Sequence, residues 1–413
     1  SGCQVVKLSS CQRMIVSVAG LILASLFVAW ISKLIRLPEL VGLLILGVIL
    51  GPHLLNWLDP DLLSISSDLR MTALLVILLR AGLELSRDTL NRVGRTALLL
   101  SFVPAVFEGA VIALISPALL GLTHLEGALL GAIIAAVSPA VVVPFMLRFI
   151  DENRGNKKGI PTLVLAASSI DDVFVIVVFS ILLGIYTGEK VNLIWKLAGI
   201  PISIILGIVI GFACAIALYR LFDRFNPRAT KRLLILIAVG VLILQIEHLT
   251  QKWVPFSGLL AVMAIGFWIL EKREAYAHEL SGKLAKVWVI AEIILFTMVG
   301  AQVDIGVAFR TGLAGASVIL IGLIARNAGT WLCLVRSGLN RKEKIFVILS
   351  YIPKATVQAA IGAAPLVALQ AAGLSTAPGE TILAVAVLSI VLTAPLGSLA
   401  IVWYGKRALP IET

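Results

Sequence analysis

Apolar runs long enough to cross a membrane, separated by short polar punctuation, occupy the chain from about residue 13 to residue 404. About 20 consecutive apolar residues span the hydrocarbon core as a helix, because backbone polar groups there must be bonded within their own segment. Thirteen segments are predicted: 13–34, 38–54, 69–86, 95–120, 124–149, 160–187, 193–221, 231–250, 255–270, 284–303, 312–335, 343–370 and 380–404. The pattern predicts an all-α polytopic membrane protein.

Composition agrees. The 413 residues are 60% hydrophobic and 14% charged, against about 45–50% and ~25% for soluble domains. The first residue is Ser1, so removal of an upstream segment is expected; no cleavable signal peptide is evident. Of the four cysteines, Cys214 and Cys333 fall in apolar segments and read as small hydrophobes, while Cys3 and Cys11 belong to an N-terminal tail, residues 1–12. Their spacing supports neither a zinc site nor a catalytic thiol, and no cofactor is expected.

The segment order contains a duplication. Leu37-Pro38-Glu39-Leu40-Val41-Gly42 resembles Val254-Pro255-Phe256-Ser257-Gly258, and Arg80-Ala81-Gly82-Leu83 resembles Met298-Val299-Gly300-Ala301 at an offset of 218. Val137-Ser138-Pro139-Ala140 finds a counterpart in Ile352-Pro353-Lys354-Ala355 at about 214. These matches predict a first six-helix repeat over 13–187, a linker helix over 193–221 and a second repeat over 231–404, inverted by the odd linker.

Charge tests the segment count. With the predicted spans, 24 of the 34 Lys and Arg residues fall at one side of the membrane and seven at the other. The positive-inside rule makes the first side cytoplasmic, so the N-terminus is expected outside and the C-terminus in the cytoplasm. The net charge of +11 is therefore a topological feature facing anionic membrane lipids, and no nucleic-acid partner is expected.

Three basic residues, Arg80, Arg326 and Lys354, remain inside helices, with the acids Glu108, Asp171, Asp172 and a further candidate, Glu292. A charge at the bilayer centre costs about 2.5–3.5 kcal/mol on insertion scales, which makes each a functional candidate. Asp171 and Asp172 lie about 12 residues into their segment, near mid-membrane at about 1.5 Å per residue. Glu108 and Arg326 occupy equivalent positions of the two repeats, 218 residues apart, and are expected to form a structural ion pair. Neighbouring helix residues point about 100° apart, so the two aspartates cannot share one small partner. One is expected to be held by a cation such as Lys354, leaving the other, Asp172, for a mobile ion. A desolvated carboxylate beside a like charge takes a proton more readily, and a group that holds either a proton or Na⁺ can exchange them. Ser168, one helical turn before Asp172, is a candidate to add an oxygen.

Pro139 and Pro353 interrupt their segments at corresponding points. Proline removes a backbone donor and disfavours helix at the preceding residue, and interrupted helices in both halves point to a transporter's binding site. The carbonyl at Val137 and the hydroxyl of Ser138 are candidate cation ligands.

Ser138-Pro139-Ala140, Asp171-Asp172, Arg80-Ala81-Gly82 and Pro353-Lys354-Ala355-Thr356-Val357-Gln358 together resemble the cation:proton antiporter superfamily, most closely the NHA branch of sodium/proton exchangers. The resemblance runs from about Leu37 to Ser398. It implies a homodimer, a role in pH homeostasis, and elevator-type movement of an ion-translocation core, expected over 69–187 and 284–370, against a scaffold of the remaining helices. It also implies that Asp172 carries Na⁺ or Li⁺ and the proton in turn, that Asp171 assists, that Lys354 is the cation of the broken-helix crossing, and that Glu108 and Arg326 pair. Electrogenic relatives carry a lysine where this chain has Arg326. Arginine keeps its proton, so one-for-one electroneutral exchange is expected.

Three alternative readings fit the sequence less well. A potassium/proton antiporter of the same superfamily typically has Gln-Asp in place of Asp-Asp. An intramembrane aspartyl protease needs its two aspartates on facing helices around one water. A channel needs polar rings along a continuous pore. The chain is expected to be a transporter and not an enzyme.

Overall fold

A computed structural model describes residues 10–35, 37–85, 87–187, 193–250, 255–371 and 373–411. Residues 1–9 of the expected tail, with Cys3 and Lys7, lie outside the described residues, as do Arg36, Lys190, Lys252 and the Cys11 side chain. The described chain is helical from end to end, with one isolated antiparallel bridge between Arg154 and Ile411. Nine helical stretches among the described residues are long and apolar enough to cross a membrane. Each of the thirteen predicted segments coincides with a helix or an interrupted helix, and together they make an all-α polytopic membrane protein.

Two segments divide more than periodicity indicated. The run predicted at 95–120 is an amphipathic helix, Arg87–Leu100, followed by Val103–Leu120 with proline at its start. Pro104 lacks the N–H that a continuing helix would need, so the chain restarts there. The run predicted at 343–370 splits into Arg341–Ser350, Thr356–Ile361 and Ala364–Ala371. Capping boxes start the first half of each broken helix: Thr123 with Glu126 before His124–Ala135, and Asn340 with Glu343 before Arg341–Ser350.

Packing sorts the helices into two groups. Glu39–Leu50, Ser66–Leu83, Gly258–Lys272 and Glu274–Ala301 pack on one another. Val103–Leu120, His124–Ala135, Pro139–Asp151, Ile160–Tyr186, Gly312–Leu334 and the pieces of the second broken helix form the other group, together with Ala377–Ala408. By these contacts the helices near 69–86 and 284–303 pack with the first group, and the 380–404 helix packs with the second, its buried face lying against both broken helices. Cys214 and Cys333 are free thiols packed against the apolar core, as expected.

Glycine sets the crossings of the first group. A methyl at Gly47 would overlap the Thr297 carbonyl, and one at Gly300 the Leu44 carbonyl. The same arrangement recurs 218–219 residues away in sequence: Gly266 faces the Leu79 carbonyl and Gly82 the Met263 carbonyl. Backbone-to-backbone approach of this kind drives helix association in lipid, where apolar burial supplies little. Gly47→Ala is expected to lower the thermal midpoint of the detergent-purified protein, by overpacking worth about 1–3 kcal/mol. Gly94→Ala, where no described atom beyond its own helix backbone and chain neighbours lies within 4 Å of the added methyl, should leave the midpoint unchanged or raise it. Equal midpoints for the two variants in thermal unfolding would refute the packing account.

Candidate functional site

The two broken helices cross. His124–Ala135 ends at Ala136, whose backbone is extended, and the chain re-enters helix at Pro139. Proline is tolerated there because the first residue of a helix has no bond to lose. The second break runs from Tyr351 to Ala355, with helix resuming at Thr356. The two prolines sit differently at the breaks: Pro139 begins a helix, whereas Pro353 lies inside the non-helical segment. At the crossing the Ser138 N–H donates to the Pro353 carbonyl at 2.9 Å, and the Ser138 and Thr356 hydroxyls are 3.4 Å apart.

Around this crossing sit four fully buried charged side chains: Glu108, Asp171, Arg326 and Lys354. Glu108 Oε2 accepts from Arg326 Nη1 at 2.8 Å and from Lys354 Nζ at 2.7 Å. Arg326 Nη1 also donates to the Ala135 carbonyl at the end of the first half-helix, and Arg326 Nη2 lies 3.5 Å from Asp171 Oδ1. Asp171 Oδ2 accepts from the Val137 N–H at 2.7 Å. Two acids and two bases thus neutralise each other and bond the opened backbone.

The expected Glu108–Arg326 pair is present, but Lys354 is bonded to Glu108 and not to an aspartate. Asp171 instead takes the Val137 N–H and the side of Arg326, because its helix brings it against the first break. Asp172, on the next face of the same helix, is 8% exposed and its Oδ1 has no hydrogen-bond partner among the described residues. It is the carboxylate of the cluster left without a cation. Ser168 is buried and donates to the Leu165 carbonyl at 3.1 Å. Ser138 is buried at the crossing.

Arg80 is not part of this cluster. It pairs with Asp151 at 2.7 Å, and that carboxylate is half exposed. Both line a cleft of about 670 Å³ between the two helix groups, with Lys33, Glu39, Arg148 and Glu292. Arg80 lies at the lip of this cleft with its side chain 13% exposed, a placement that sequence spacing alone does not separate from mid-membrane.

Two residues that serve the crossing, Thr393 and Tyr351, stand out in no motif, and a third, Gln358, appears in the sequence only as the last residue of the 353–358 run. Thr393 accepts from the Lys354 N–H at 2.9 Å. The Tyr351 ring lies under the Arg326 guanidinium, 5.2 Å from its centre. Gln358 donates to carbonyls of the first break. Each is an ordinary polar or aromatic residue in an apolar run, and only the fold brings it to the break. Glu108→Gln removes the acceptor that Arg326 and Lys354 share, and is expected to destabilise the protein by about 3–5 kcal/mol. In thermal unfolding, the double variant Glu108→Gln/Lys354→Met should recover part of the loss, whereas strictly additive losses would argue against the direct bond.

The comparisons with known proteins agree with this architecture. The family described as "Sodium/hydrogen exchanger, transmembrane" matches residues 22–407. Sodium/hydrogen exchanger 9B2 of Homo sapiens is 35% identical over 390 residues, covering 90% of this chain and 70% of that protein. Sodium/hydrogen exchanger 9B1 of Homo sapiens is 31% identical over 354 residues, covering 83% and 67%. The solved structure of the sodium proton antiporter MjNhaP1 from Methanocaldococcus jannaschii superposes with a TM-score of 0.78 at 21% identity, covering 97% of this chain and 99% of that one, and so shares its fold. By family match and by identity to its relatives, the chain belongs to the sodium/hydrogen exchanger family.

Proposed function

We propose that the chain exchanges Na⁺ or Li⁺ for protons at Asp172. The single observation that carries this reading is the charge balance of the crossing: Glu108 and Asp171 are matched by Arg326 and Lys354, while Asp172 Oδ1 is buried without a partner. A buried carboxylate with no fixed counter-charge needs a mobile one, and either a proton or a small monovalent cation supplies it. The two cannot occupy the same oxygen together, so release of one accompanies capture of the other. Asp171 assists by holding the Val137 peptide beside the site, and the oxygens of Val137, Ser138 and Ser168 complete the candidate ligand set.

Alternating access follows from the two packing groups. The group containing both broken helices carries Asp172, and it moves as an elevator against the glycine-packed group, which is the scaffold and the surface of a homodimer. The cleft between the groups is lined by Lys33, Arg148 and Lys406, residues of the expected cytoplasmic side, so the conformation described is read as open toward the cytoplasm. The recurrence of the glycine crossings at 218–219 residues supports inverted repeats. Arg326 retains its proton throughout the cycle. With Lys354 bonded to Glu108, the exchange is one proton for one cation and electroneutral.

In proteoliposomes under an imposed pH gradient, Asp172→Asn is expected to abolish Na⁺-dependent proton movement, with Asp171→Asn retaining a reduced rate. Persisting exchange in Asp172→Asn would overturn the site. Wild-type exchange should be insensitive to a clamped membrane potential; rates that rise or fall systematically with voltage would refute one-for-one stoichiometry.

A further inference from the structure

Two successive peptide groups of the first break, Ala135–Ala136 and Ala136–Val137, are bonded by side chains from three different helices. Arg326, on Gly312–Leu334, takes the Ala135 carbonyl. Gln358, on Thr356–Ile361, donates its amide Nε2 to the carbonyls of Ala136 at 3.0 Å and Ile133 at 2.9 Å. Asp171, on Ile160–Tyr186, takes the Val137 N–H. The end of a half-helix in a membrane leaves carbonyls that neither water nor a following turn can satisfy, so such donors decide where the backbone rests.

The three bonds differ in kind. Arg326 and Asp171 belong to the charged cluster, whose field changes whenever a proton or a cation arrives at the neighbouring carboxylate. Gln358 is neutral, 2% exposed, and bonds the break across 222 to 225 residues of sequence. Its grip does not depend on which ion is present. A glutamine also fits where a charged donor does not: two N–H groups serve two carbonyls, and no net charge is added to a balanced set. Its own Oε1 is buried with no hydrogen-bond partner among the described residues, so what the side chain contributes here is its donors.

From this geometry we infer that Gln358 is a positioning residue that fixes the Ala136–Ser138 backbone beside the aspartate pair and thereby sets cation affinity and the discrimination between Na⁺ and Li⁺. The inference rests on the reading of Asp172 as the exchange site. Ions of different radius are distinguished by where backbone and hydroxyl oxygens sit, and displacement of a polar group by even about 1 Å is costly at a reacting or binding centre. Without the amide, the carbonyls of Ile133 and Ala136 lose their common donor and the break drifts. The elevator movement, which Gln358 does not bridge, continues.

The test uses the full chain in proteoliposomes. Gln358→Met keeps the length and removes the donors, while Gln358→Asn keeps the amide one methylene short. For Gln358→Met the expected result is a KM for Na⁺ raised about tenfold, a maximal rate within about twofold of wild type, and an altered ratio of Li⁺ to Na⁺ KM values. Gln358→Asn should lie between Gln358→Met and wild type in all three measures. Wild-type KM values and ratio in a folded Gln358→Met protein would overturn the inference. So would a loss of rate that merely tracks a lowered thermal midpoint with the KM ratio intact. Should Gln358→Met fail to fold, Gln358→Asn decides by the same ratio: a change supports positioning, and an unchanged ratio refutes it. Asp172→Asn, assayed in parallel, separates the two claims. Lost exchange there with unchanged KM in the Gln358 variants sinks only the positioning role, whereas retained exchange sinks the site itself.

Discussion

Four charged side chains buried among apolar helices must cancel one another, and the rest of this structure follows from how they do so. Glu108 offers one carboxylate oxygen to both Arg326 and Lys354, and Asp171 sits beside the guanidinium. None of these side chains has measurable exposure, so removing any one strands a charge where water cannot reach it. The same groups also bond the opened backbone: Arg326 reaches the Ala135 carbonyl and Asp171 the Val137 N–H. Charge neutrality and the satisfaction of two interrupted helices are therefore one problem with one solution. That solution leaves Asp172 over, which is why the proposed exchange chemistry falls on it.

The two helix groups hold together by different physics. In the first, backbones touch at glycines, with Gly47, Gly82, Gly266 and Gly300 each facing a carbonyl of a crossing helix. Contacts of that kind are rigid, since any lateral shift brings a side chain into the gap. The second group is centred on polar bonds between broken helices and is roofed by Ala377–Ala408. Between the groups lies a cleft with charged walls, bridged by the Arg80–Asp151 ion pair. A stiff frame thus lies beside a separately organised polar core, with a cleft of charged walls between them, the arrangement from which the proposed elevator movement is argued.

Much of the candidate site was legible because intramembrane charge is expensive and therefore rare. Hydropathy isolates Glu108, Asp171, Asp172, Arg326 and Lys354 without any knowledge of the fold, and matching positions in the two expected repeats point to the Glu108–Arg326 contact seen at 2.8 Å. The partner of Lys354 was not legible, because both an aspartate and a glutamate lay at suitable depth and sequence carries no rotation of one helix about another. Arg80 was read as an embedded charge because its depth was judged from segment ends. The structure puts it at the lip of a cleft, with a half-exposed partner. Thr393 and Tyr351 carry no signal in the sequence, and Gln358 appears there only as part of the 353–358 run with no partner assigned, since polar uncharged residues are common in membrane helices and acquire meaning only at the break they serve.

By itself, the amino-acid sequence determined that this is an all-helical membrane protein, where its hydrophobic segments lie, and which few charges its interior must accommodate. These are one-dimensional properties: the hydrocarbon core demands apolar runs of a given length and penalises each charge wherever it occurs. Tertiary structure alone decided which charges neutralise which, which helices form the frame, and which carboxylate is left unmatched. Those outcomes depend on angles and distances between residues more than 200 positions apart, such as Glu108 and Lys354 at 2.7 Å, and no local pattern along the chain encodes them.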